Sequence, residues 1–213
     1  HNGYTLGALY EYSDQTRFGI GYRSQVKHKL KGDIKFEGLM LPANQDISAR
    51  ITTPANLTIG AYHDINDKWS VMAEFGRTYW SSFDTLDIYG ENNGKMSTTE
   101  ERWKDTTFYA IGASYQYNDQ WKFRVGFAVD QSAVGQEYRT PRIPDSDRLW
   151  YSSGIEYKYN DDWTFNLGYT YIRADKGKVK LLGYHDGDNA RGSLQADYEN
   201  DIHILGFGAS YNF

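Results

Sequence analysis

Few side chains in this 213-residue chain have the means to do covalent or metal chemistry. Cysteine is absent, which removes thiolate nucleophiles, thiolate zinc sites and disulfide scaffolds together. Ser153 and His203 would need a third group to hold them as nucleophile and base, and no nucleophile motif surrounds either. Asp145-Ser146-Asp147-Arg148 sets carboxylates beside a guanidinium, a pattern expected to pair internally and shape a loop rather than hold a metal. Asp186-Gly187-Asp188-Asn189 is a calcium-like fragment without the Glu that completes such a loop, and His28, His63, His185 and His203 fall at no metal-ligand spacing. The expectation is a chain that is not an enzyme and holds no cofactor and no metal. What remains is noncovalent: the cations Lys95, Arg102 and Lys104 and the rings of Phe108 and Trp150.

The elements that must position these residues are strands. From Trp121 the odd positions read Trp121, Phe123, Val125, Phe127 and Val129, while the even ones read Lys122, Arg124, Gly126, Ala128 and Asp130. Such a period of two gives one apolar and one polar face. The same alternation runs from Trp163 to Tyr171, from Arg17 to Arg23 and from Trp69 to Gly76. Tyr12-Ser13-Asp14-Gln15, Ile65 to Trp69, Tyr117 to Trp121 and Tyr159 to Trp163 are short Asn/Asp/Ser turns, each expected to close a hairpin. Between them lie polar stretches at 33 to 46, 85 to 99, 132 to 147 and 176 to 196, so short and long connections alternate. In an antiparallel barrel that alternation collects the short turns at one rim and the long loops at the other.

Composition agrees with a barrel in a membrane. The chain is 16% aromatic with a mean hydropathy of −0.72, and no apolar run approaches the roughly 18 to 20 residues of a spanning helix. Strands that alternate between lipid and water average to such a polar score. A formal charge of −5 without a basic run argues against a nucleic-acid partner. A soluble barrel would carry a strongly charged outer face. Here the face opposite the aromatics is instead rich in Gly, Ala, Ser and Thr, with scattered Glu11, Arg23, Glu74, Arg124, Glu156 and Lys158, as suits a lumen. Trp69, Trp121 and Trp163 follow short turns as an interfacial aromatic girdle would.

The reading is all-β, an antiparallel transmembrane β-barrel, with nine strands near 4–12, 16–32, 47–64, 68–84, 100–118, 120–131, 147–159, 162–175 and 197–213. Single-chain bacterial barrels have even strand numbers. The odd count leads us to expect residues 1–213 to be an incomplete part of one longer barrel domain, and the opening His1-Asn2-Gly3 carries no signal-peptide pattern.

Arg139-Thr140-Pro141-Arg142-Ile143-Pro144-Asp145-Ser146-Asp147-Arg148-Leu149-Trp150, followed by Ser152-Ser153-Gly154-Ile155-Glu156-Tyr157, resembles the Ile-Pro-Asp-x-Asp-Arg-hydrophobic-Trp stretch of FadL-type long-chain fatty acid transporters, the FadL/TodX-like family. Trp103-Lys104-Asp105-Thr106, Tyr79-Trp80-Ser81 and Thr53-Pro54-Ala55-Asn56-Leu57 fit the same family, so the likeness covers nearly the whole chain. The resemblance implies that residues 1–213 are the C-terminal portion of a single outer-membrane barrel domain of roughly fourteen strands, of which the first strands and an N-terminal hatch are not in this sequence. It further implies passive uptake of hydrophobic molecules across the Gram-negative outer membrane, with capture near the extracellular side and hatch-gated diffusion. Long-chain fatty acids are the first expected ligand; aromatic hydrocarbons are the alternative within the family, and a structural barrel or adhesin the alternative outside it.

For a carboxylate-bearing ligand, a cation at the mouth of a low-dielectric pocket orients the head group. Lys95, Arg102 and Lys104 lie at the long-loop end of the fifth expected strand, where parity puts Arg102 and Lys104 on the lumen face with Phe108. Loops are normally charged, so the first reading of each is an ordinary solvated mouth charge and the head-group role is the second; Trp150 either lines an apolar pocket or fills the interior. The expected partners are the hydrophobic ligand, outer-membrane lipid and lipopolysaccharide. The alternating end from Phe207 to Phe213 resembles that of outer-membrane barrels, which implies the barrel-assembly machinery as a partner through Phe213.

Overall fold

The computed structural model describes residues 2–35, 44–91, 94–183 and 192–213. The wall is one antiparallel sheet made of β1 (Thr5–Ser13), β2 (Thr16–Arg23), β5 (Asn56–Asp64), β6 (Trp69–Thr78), β9 (Thr106–Gln116), β10 (Trp121–Asp130), β11 (Arg148–Lys158), β12 (Trp163–Ala174) and β15 (Asp201–Tyr211), paired in that order. These are the nine strands expected from alternation. Their lengths bracket the roughly 9 to 11 residues that cross a bilayer. Among the described residues, β1 and β15 have a partner on one side only.

The short turns work as their sequences predict. Asn66, Asn118 and Asn160 each accept two backbone N–H groups with the side-chain oxygen; Asn118 takes Gln120 at 3.0 Å and Trp121 at 2.9 Å, and Asn160 takes Asp162 at 3.0 Å and Trp163 at 2.7 Å. The Asn side chain thus satisfies donors the turn would otherwise leave to water. Each of these turns sets its Trp against a Tyr across the sheet, with ring centroids 4.6 Å apart for Trp69 and Tyr115, 4.4 Å for Trp121 and Tyr157, and 4.9 Å for Trp163 and Tyr211. That band of paired rings rims one end of the wall, as a membrane interface favours. On the same outward face Ile111 is 65% exposed and Val125 61%, an apolar surface suited to lipid.

Six further strands stand outside the wall at the long-loop end. β3 (Val26–Ile34), β4 (Gln45–Thr53), β7 (Thr85–Tyr89) and β8 (Lys95–Glu100) form a four-stranded sheet in that order, and β13 (Gly177–Leu181) pairs with β14 (Leu194–Tyr198). The sequence-based boundaries therefore change in several places. The expected strands 16–32 and 47–64 leave the wall at Ser24-Gln25 and Pro54-Ala55, where Pro54 has no N–H to continue a ladder. Polar stretches 85–99 and 176–196 hold strands as well as connections. The expected strand 100–118 is interrupted over residues 101–105, where Arg102 has a φ of 42°. Alternation does not pass through a left-handed residue, so the parity that put Arg102 and Lys104 on the lumen face does not apply.

Candidate functional site

The inner face of the wall is layered, and cross-strand register defines the layers. Nearest the long-loop end, Phe108, Asp130, Arg148 and Ala174 lie opposite one another on β9 to β12. Arg148 bridges Asp130 at 2.9 Å and Asp145 at 3.3 Å, making a charged rim. The next layer is Ala110, Ala128, Trp150, Ile172 and Ile202, wholly apolar across five strands. The Phe108 ring meets Trp150 edge-on at 6.5 Å, and Ala128 and Ile172 are buried. Below it come Gly112, Gly126, Ser152 and Thr170, then Ser114, Arg124, Gly154, Gly168 and Gly206. Toward the short turns the face becomes charged again, with Arg124 bonded to Glu156 and, at 3.4 Å, to Asn166.

The glycine layers floor a groove of about 780 Å³. Added Cβ atoms at Gly21, Gly168 and Gly206 would meet nothing within 4 Å, so the wall itself does not require those positions to be bare. At Gly76 the reason is local: a Cβ there would come within 3.3 Å of the Phe108 Cβ, so the glycine leaves room for the ring.

Of the residues singled out from sequence, Phe108 and Trp150 are brought together. Lys95 belongs to the separate four-stranded sheet and pairs with Asp87 at 3.2 Å. The hydroxyl of Thr98, first, and then Lys95 and Tyr89 hold the Asp87 carboxyl below its ordinary range. Arg102 pairs with Glu100 at 3.3 Å and lies over the Tyr138 ring. Lys104 is exposed and makes no ion pair among the described residues; its backbone N–H donates to the Ala133 carbonyl at 2.9 Å, tying it to the loop above β10.

The loop over residues 132–147 pairs internally, as its sequence suggested. Asp147 accepts the Ser132 backbone N–H at 2.7 Å, and Asp145 accepts the Ser132 hydroxyl at 2.8 Å. Sequence reasoning missed Arg139, which is buried and donates to the carbonyls of Asp145 at 2.7 Å, Lys178 at 2.8 Å and Val134 at 3.4 Å. It also missed the Trp103 ring as the hub of Trp80 and Phe83, at 4.8 and 4.9 Å, where the chain leaves the wall. The two tryptophans were visible within quoted motifs, but nothing in their spacing joined them. Asp186 to Asn189 and His185 lie outside the described residues. His28, His63 and His203 bond Thr53, Thr16 and Tyr169.

The sequence matches the family described as outer membrane protein transport protein (OMPP1/FadL/TodX) over residues 1–213. A long-chain fatty acid transport protein of Escherichia coli O6:H1 is 30% identical over 99% of this chain and 49% of its own length. Outer membrane protein P1 of Haemophilus influenzae is 29% identical over 99% of this chain and 46% of its own. Among solved structures, a Pseudomonas aeruginosa FadL homologue superposes with a TM-score of 0.87 at 26% identity, over 98% of this chain and 52% of that one. The toluene transporter TodX of Pseudomonas putida shares the fold, with a TM-score of 0.66 at 24% identity over 99% of this chain and 49% of that one. The chain spans about half the length of the curated relatives it matches. On the whole-length family match and the layered antiparallel wall, the chain belongs to the OMPP1/FadL/TodX family of outer membrane transport proteins.

Proposed function

We propose that these residues form the C-terminal wall of an outer-membrane channel that takes up hydrophobic molecules passively, long-chain fatty acids first among them. The observation that carries the reading is the apolar layer Ala110, Ala128, Trp150, Ile172 and Ile202 beneath the Asp130–Arg148 rim. A structural barrel would fill this level with paired charges; on β9 to β12 and β15 they lie above and below it, and on β6 the level continues as a lone carboxylate, Glu74, opposite Ala110. An apolar solute leaving water gains roughly 25 cal/mol per Å² of surface covered, and such a layer offers that cover part-way across. Phe108 and Trp150 line it. Lys104 takes the head-group role, since Lys95 and Arg102 are engaged by Asp87 and Glu100. The remaining strands pair with β1 and β15, because open edges in hydrocarbon cost several kcal/mol per unsatisfied group. A hatch contributed by the rest of the protein rests on the bare glycine floor and gates passage. Phe213 engages the barrel-assembly machinery, and lipid and lipopolysaccharide surround the outer face.

The edge-on Phe108–Trp150 pair favours one second reading, an aromatic hydrocarbon as the solute, because flat rings add to such pairs. The test is equilibrium binding of a fluorescent long-chain fatty acid to the full-length barrel in detergent, with unlabelled fatty acid and toluene as competitors. Trp150→Ala is expected to weaken fatty acid binding about tenfold or more. Unchanged affinity would remove the layer from the binding site, and displacement by toluene alone would favour the second reading.

A further inference from the structure

The chain is net acidic, yet one face of the β3–β4 hairpin is basic. Lys27, Lys29 and Lys31 occupy successive positions on one side of β3, and Arg50 lies directly opposite Lys29 on β4. All four are exposed. Lys29, Lys31 and Arg50 make no ion pair among the described residues. Two carboxylates further along the same face, Asp33 and Asp46, sit opposite each other near the tip, and Asp33 faces Lys35 at 3.9 Å. On β7, Asp87 is already held by Thr98, Lys95 and Tyr89. Like charges opposite each other in a sheet are destabilising, so the Lys29–Arg50 pair asks for an anion between them.

We infer that this face binds the phosphate groups of a phosphorylated glycolipid of the outer leaflet. The hairpin leaves the wall where β2 ends at Arg23 and β5 begins at Asn56, at the long-loop rim. Lys27 and Lys31 then stand about 13 and 26 Å along the chain from that rim. Arg50 offers a planar fork to two phosphate oxygens, and the lysines on either side of Lys29 add point charges that tolerate a mobile head group. The opposite face, with Leu30, Ile47, Ala49 and Ile51, is apolar, so the hairpin turns one defined side to the anion. Lysines on an edge strand such as β3 also guard against strand pairing between molecules. Arg50 lies on the inner strand β4 and has no such duty. The inference rests on the outer-membrane placement and is independent of what passes through the channel.

The test uses the full-length barrel in detergent with three probes: purified lipopolysaccharide, the same material enzymatically dephosphorylated, and inorganic phosphate. The charge-reversed Lys29→Glu/Arg50→Glu protein keeps an edge guard; it is expected to bind lipopolysaccharide at least tenfold more weakly while its fatty acid affinity is unchanged. The neutral Lys29→Gln/Arg50→Gln protein, which perturbs folding least, is expected to fall between the two. Wild type should bind dephosphorylated material as weakly as the reversed variant and retain lipopolysaccharide against excess phosphate. Unchanged affinity in both variants, or equal binding of the dephosphorylated material, would overturn the inference, and displacement by phosphate alone would overturn the lipid as its source. Loss of fatty acid binding in wild type would count against the channel reading and leave this result intact.

Discussion

The wall and the structures at its long-loop end are both antiparallel sheet, but different forces specify them. In the wall every strand obeys one rule of alternation, every short turn is closed by a side-chain acceptor, and the outward face is mostly apolar, with His63, Ser153 and His203 among the polar exceptions. Above it, order comes from individual polar contacts: Arg139 reaching three carbonyls, Asp87 gathering Thr98, Tyr89 and Lys95, and Ser146 donating to the Asp175 carbonyl at 2.6 Å. The solvent dictates the first region, and residue-by-residue satisfaction of buried polar groups dictates the second. One region is therefore tolerant of polar change on its inner face and intolerant on its outer face, while the other depends on a few single residues.

The largest expected effect breaks the wall. Val125 is 61% exposed at the middle of β10, and Val125→Lys places an ammonium in hydrocarbon at a cost of about 2 to 4 kcal/mol. The urea midpoint of the barrel in vesicles should fall accordingly, whereas Leu30→Lys on the four-stranded sheet should leave it in place. Equal losses would mean that the two regions share one solvent. A smaller and more local effect is expected from Arg139→Met, which strands three carbonyls and loosens the 132–147 loop by about 2 kcal/mol. Limited proteolysis should cut that loop faster while the wall remains heat-modifiable; a wall that unfolds with it would erase the distinction.

The smallest effect is one of pH. The Asp87 carboxyl titrates below its ordinary value because Thr98, above all, and Lys95 bond its ionised form. The stability it contributes is therefore fully present above about pH 4 and is lost as pH falls through the lowered value. The protection of the β7 and β8 amides, taken relative to intrinsic exchange at each pH, should be lower at pH 2.5 than at pH 5 by less than about 1 kcal/mol, and Asp87→Asn should remove most of that dependence. Acid loosening of equal size in β10 and β11 would show that Asp87 is not its cause.

The same division explains what could be read in advance. Alternation around Trp121 and Trp163 found the wall strands, and Asn66, Asn118 and Asn160 found the turns, because each signal is local. The four-stranded sheet was hidden because β2 runs into β3, and β4 into β5, with only Ser24-Gln25 and Pro54-Ala55 to mark the change of sheet. Phe108 and Trp150 were each legible as lumen-facing because parity holds along β9 and β11, whereas the meeting of their rings is a tertiary contact that spacing does not show. The placement of Arg102 was not legible, since its φ of 42° breaks the alternation just where parity was being extended. Which cations are already occupied depends on Asp87 and Glu100 folding back on them, a matter of tertiary contact rather than spacing.

In the channel reading proposed above, hydrophobic ligand travels along the even-numbered face of β9 to β12. Photo-crosslinking of the full-length barrel with a diazirine-bearing long-chain fatty acid, mapped by mass spectrometry, tests it directly. The account predicts adducts at Phe108, Ala110, Trp150 and Ile172 that excess unlabelled fatty acid suppresses. Adducts confined to the outward residues Ile111, Val125, Tyr151 and Leu167, insensitive to competitor, would contradict it and leave a wall that only meets lipid.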